Sequence, residues 1–98
     1  MDDLFESRII GEYRRRDKSM RVVLQKAQSL RDQNMISESE NFQRHHETLL
    51  AELEIFYKKY RNTLVKFGFL PTPPLQIELT STELDIIKST QKKHGLRF

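Results

Sequence analysis

No cysteine stands anywhere in this chain, which excludes disulfide staples, thiolate metal sites and cysteine nucleophiles together. Proline and glycine are almost missing from its first two thirds: residues 1–67 hold one glycine, Gly11, and no proline. A stretch so poor in chain-breaking residues is best filled by long helices. No apolar run approaches the roughly 18 residues that a membrane span requires. The opening "MDDLFESRII" carries acids where a signal peptide carries lysines. An intracellular protein is the expectation, with cytoplasm and nucleus not distinguished. Neither a glycine-rich phosphate loop nor a nucleophile elbow is written in the sequence. The expectation is therefore a non-enzyme without a cofactor.

What the chain does have is charge and period. Of its 98 residues, 32% are charged and 37% hydrophobic, a balance that suits solvent-washed helices better than a sandwich or barrel. A chain of this length makes one small domain with a limited core. Its net charge of +3 is mild for a committed phosphate binder.

Apolar residues recur in steps of four and three. The first seam reads Ile9, Tyr13, Arg16, Met20, Val23, Ala27, Leu30, and the second Phe42, His46, Leu49, Leu53, Phe56, Tyr60, Thr63, Phe67. Such spacing puts one stripe on one side of each helix. Extending the first register reaches residue 41, five short of His46, a slip that a continuous rod does not absorb. Ser37 and Glu40 have the form of a capping box in that gap. The spacing predicts an all-α fold: helices over about 5–35 and 37–67, folded as a coiled-coil-like antiparallel hairpin occupying residues 1–70. Gly11 costs the first helix roughly 1 kcal/mol and is a candidate kink or the helix's true start.

Gly68 is a natural helix stop, and "LPTPP" after it favours an extended path. "LQIEL" alternates as a short strand or docking arm does. Thr80 with Glu83 makes another capping box, predicting a short helix over about 81–94 that stops at Gly95. Residues 71–98 thus read as a Pro-rich arm plus a helix, joined to the hairpin or docked as a tail.

Candidate sites are surfaces. His45 and His46 are adjacent, so on a helix they point about 100° apart and do not share a metal. Pro71 and Pro74 form a P-x-x-P pair and Thr72-Pro73 is in principle a phosphorylation site, although a rigid helix stop accounts for these prolines. Folding the hairpin about residue 36 sets residues 14–18 beside 54–58 and brings together a basic end: Arg14, Arg15, Lys18, Lys58, Lys59 and Arg61. The turn end, with Asp32, Glu38, Glu40 and Glu47, is acidic. Leu50, Ile55 and Leu64 widen the second stripe, and with Leu75, Ile77 and Leu79 they are the candidate apolar contacts for a partner. These features predict a helical protein–protein interaction module: an assembly subunit, adaptor or chaperone-like factor, acting as a homodimer or within an obligate complex. The alternative is a small nucleic-acid-binding regulator that uses the basic end, against which stands the plain reading of a charge run as a solvated helix face.

Overall fold

The computed structural model describes residues 2–94, and side chains over residues 4–93. Four helices follow in order: α1 (Asp2–Asp32), α2 (Ile36–Lys59), α3 (Arg61–Lys66) and α4 (Ser81–His94). They form a rod of 46 × 26 × 22 Å. The hairpin is antiparallel, as cross-contacts from the turn outward show. Ser39 Oγ donates to the Ala27 carbonyl at 2.7 Å, His46 Nδ1 lies 3.3 Å from the Met20 carbonyl, and the Tyr13 ring meets Tyr57 edge-on at 5.6 Å. Phe5 meets Tyr60 at the open end.

α1 runs through Gly11 without a break. The turn centres on Asn34, which adopts φ 61°. The Met35 amide donates to the Leu30 carbonyl at 2.9 Å and the Asn34 amide to Arg31 at 3.0 Å. This is a Schellman closure, with asparagine in the left-handed position usually given to glycine. The expected Ser37–Glu40 capping box does not form: Met35 is the N-cap of α2, without a side-chain cap. The Asn34 closure reverses the chain before Ser37, which is already inside the helix.

The second expected helix is two. At Tyr60 (φ −110°, ψ 28°) α2 ends and α3 begins, with neither glycine nor proline to dictate a break. The break lets α3 pack against α4 while it keeps contact with α1, where Lys66 pairs with Glu6 at 3.1 Å, and periodicity alone does not encode such a partner. α3 closes with a second Schellman motif. The Phe69 amide donates to Leu64 at 2.9 Å and the Gly68 amide to Val65 at 3.0 Å, with Gly68 at φ 84°. A Cβ on Gly68 would sit 3.2 Å from Thr90 Cγ2, so glycine is needed both for its backbone angle and for the approach of α4. Thr90 Oγ1 and Gln91 Nε2 donate to the Lys66 and Gly68 carbonyls, satisfying groups that the end of α3 leaves open.

Between α3 and α4 the chain returns along the hairpin as an arm with one turn, the Leu75 amide donating to the Thr72 carbonyl at 3.1 Å, and without a strand among the described residues. Three side chains clip it down. Arg21 donates to Thr72 Oγ1 and the Pro73 carbonyl, Glu54 accepts from the Gln76 amide, and Arg61 donates to the Glu78 carbonyl. Leu75 enters the core formed by Ile9, Tyr13, Met20, Leu53, Tyr57, Leu64 and Phe69. The Thr80–Glu83 box forms as expected: each side chain accepts from the other residue's amide, at 2.9 and 3.1 Å. Gly95, the expected stop of α4, lies outside the described residues.

Candidate functional site

The arm covers one side of the hairpin. Another side is open, and a groove there runs between α1 and the open end of α2. One part, about 680 Å³, is lined by Phe5, Arg8, Ile9, Gly11, Glu12, Arg15, Phe56 and Tyr60. An adjoining part, sharing Phe56 and Tyr60, adds Arg16, Glu52, Ile55 and Lys59. Helical spacing builds the α1 wall: Phe5, Arg8, Glu12 and Arg15 fall in steps of three and four and so share a face. Gly11 has nothing within 4 Å of its ideal Cβ position, so the groove floor is left without a side chain there.

Groove chemistry is apolar within and cationic at the rim. Phe5 is 59% exposed and Ile55 66% exposed, whereas Phe56 and Tyr60 meet at 4.8 Å with their rings tilted by 53° and form the half-buried base. The rim carries Arg8, Arg15, Arg16 and Lys59 against Glu12 and Glu52. Glu12 holds both Arg15 and Arg16, and Arg16 reaches Glu52 at 3.7 Å. Arg16 also lies over the Phe56 ring at 5.4 Å, and Lys59 over Tyr60 at 5.3 Å. Among the described residues Arg8 has no ion-pair partner.

The expected basic end is thus rearranged. Arg16 meets Phe56, within the expected 54–58 stretch, and also reaches back to Glu52. Arg15 and Lys59 line adjoining parts of the groove. Arg14 lines a different cleft beside the arm, its guanidinium 5.2 Å from the Phe69 ring centroid. Lys18 and Lys58 are exposed outside the groove. Arg61 is occupied inside the fold: Nε and Nη2 donate to the two Glu83 carboxylate oxygens at 2.5 and 2.6 Å. That guanidinium, then the Thr80 amide, hold the Glu83 carboxyl down at about 2, and Glu83 raises Arg61 in turn.

Of the expected apolar contacts, only Ile55 presents itself to solvent. Leu64 is 0% and Leu75 7% exposed, both inside the chain's own core. Leu50, Ile77 and Leu79 pack against that core half-buried. The alternation in "LQIEL" is a docking signal, and its dock is this hairpin. The seam also shifts beyond Leu53. Tyr57, not Phe56, turns inward, where its hydroxyl donates to the Phe69 carbonyl at 2.6 Å and burial pushes its pKa up. Tyr13, also buried, is pushed up to about 12, by desolvation first and Asp17 second. Rotating the seam to Tyr57 exposes Phe56 and Tyr60 to the groove. Phe5 and Arg8 were legible only as a stripe beside the seam.

His46 is buried and His45 exposed. No helix among the described residues is long and apolar enough to cross a membrane. Compared with protein-family models, curated proteins and solved structures, the chain matches none.

Proposed function

We propose that this protein is a non-enzymatic helical interaction module whose groove seats an amphipathic helix of a partner protein, with acidic residues flanking its apolar stripe. The supporting observation is the exposed Phe5 and Ile55 over the half-buried Phe56 and Tyr60, with four cations to two carboxylates at the rim. A helix laid in such a groove buries its apolar face on the rings, while its flanking carboxylates meet Arg8, Arg15 and Lys59. The covered side of the hairpin supplies an internal precedent. There the chain seats its own alternating segment through apolar insertion of Leu75 and arginine donors to its backbone. The assembly is read as a subunit or adaptor complex, in which rim charge speeds and orients association.

Titration of the labelled protein with three probes tests this: a Leu/Glu amphipathic helical peptide, a Leu/Lys peptide of the same length, and a single-stranded oligonucleotide. The reading expects preference for the Leu/Glu peptide, weakened by Ile55→Asp and by Arg15→Glu. Preference for the oligonucleotide, with a steep salt dependence, would replace it by nucleic-acid binding through aromatic stacking. Saturable self-association abolished by Ile55→Asp would make the occupant a second copy.

A further inference from the structure

The arm side carries a second cleft, about 220 Å³, lined by Tyr13, Arg14, Asp17, Arg21, Phe69, Leu70 and Thr72. Thr72 contributes a hydroxyl to its lining. Arg21 Nη2 donates to Thr72 Oγ1 at 2.7 Å and Arg21 Nη1 to the Pro73 carbonyl at 3.0 Å, while Nε contacts both Asp17 carboxylate oxygens at 3.1 Å. Arg14 lines the same cleft. Thr72 is the only hydroxyl residue of the sequence followed by proline. It opens a turn on the surface, the Leu75 amide donating to the Thr72 carbonyl at 3.1 Å; Thr72 itself is half-buried, and Leu70 and Pro73 on either side of it are exposed.

We propose that Thr72 is a phosphorylation site whose phosphate is received by Arg21 and Arg14, so that modification tightens the arm on α1. The enzyme would be a kinase that reads proline after the acceptor. Thr72 Oγ1 forms the new bond to the γ-phosphorus of a nucleoside triphosphate, the β–γ bridging bond breaks to release nucleoside diphosphate, and the hydroxyl proton passes to the kinase's base. The product carries nearly two negative charges and three strong acceptors. It replaces one neutral acceptor on Arg21 with charge-assisted hydrogen bonds. Asp17 opposes this, but two guanidiniums against one carboxylate leave the cleft cationic before modification. The inference is independent of the groove reading, since the cleft and the groove share no lining residue.

The experiment treats the folded protein with a proline-directed kinase and nucleoside triphosphate, locates the phosphate by fragmentation, and compares melting temperatures. A single phosphate on Thr72, absent in Thr72→Val, should raise Tm by about 4–8 °C. Arg14→Gln should keep the phosphate and lose part of that rise. It leaves the Arg21 clip intact, so its effect is not a failure of folding, and Arg21→Gln should lose more of the rise. An unmodified Thr72 in the folded protein, whether or not a peptide spanning 68–79 is accepted, overturns the assignment. So does a fall in Tm on modification.

Discussion

The two sides of this hairpin are built from the same helices and are treated differently by the chain. On one side the arm lays Leu75 into the core and is fixed by Arg21, Glu54 and Arg61. On the other, Phe5 and Ile55 stand exposed beside the Phe56–Tyr60 pair, with a cationic rim. An exposed apolar patch with a charged rim marks a docking surface more often than a bare solvent face. The difference separates residues that hold the fold from residues available for docking, and matched substitutions on the two sides can test that separation.

The largest expected effect is on the covered side. Leu75→Asp places a charge at a 7% exposed position. Losing a buried leucine costs about 2–5 kcal/mol, and an unpaired buried carboxylate adds to it. Against a total of about 5–10 kcal/mol for a domain of this size, the arm should detach and the protein should lose cooperative melting. Ile55→Asp, the matched change on the open side, should leave helix content unchanged and stability within about 0.5 kcal/mol of the parent, as measured by circular dichroism.

Gly68→Ala comes next. The left-handed φ costs roughly 1–2 kcal/mol for any residue with a Cβ, and the contact with Thr90 adds to it. A Tm lower by about 4–8 °C per kcal/mol is expected in thermal melts.

Acid should loosen the same side selectively. Glu83 has its carboxyl lowered from an ordinary 4.5 to about 2 by Arg61 and Thr80, so its contribution to stability is fully present above 4.5. It is lost as the pH falls through that window toward 2. Hydrogen exchange at α4 should rise across this range in the parent protein, and the Glu83 part of that dependence should shrink in Arg61→Ala, where the Thr80 hydrogen bonds alone still lower the carboxyl.

Gly11→Ala should have the smallest effect, and of opposite sign. The helix gains about 0.5–1 kcal/mol because an added Cβ meets nothing. A Tm that falls instead would mean that the groove floor is packed and not open.

Much of this architecture was readable from spacing. The four-and-three steps locate α1 and the antiparallel partner, Gly68 stops α3, and Thr80 with Glu83 starts α4. What escaped depends on partners distant in sequence. Tyr57 takes the core position beyond Leu53 because the Phe69 carbonyl waits for its hydroxyl, and no local period encodes that. Arg61 looked like a surface cation because its carboxylate lies 22 residues on, and the Arg21 contact with Thr72 spans 51 residues, beyond any local pattern. The turn moved to Asn34 because a left-handed asparagine outran the Ser37 box. The groove was partly legible: Ile55 was read as exposed, but the seam assigned Phe56 and Tyr60 to the interior by default.

The most direct test of docking on the open side is amide chemical-shift mapping during titration of the isotope-labelled protein with the Leu/Glu amphipathic peptide. The account predicts saturable shifts at Phe5, Arg8, Glu12, Arg15, Ile55 and Tyr60, with Thr72 through Leu79 unmoved. Shifts confined to the arm, or none at the groove at saturating peptide, would contradict it.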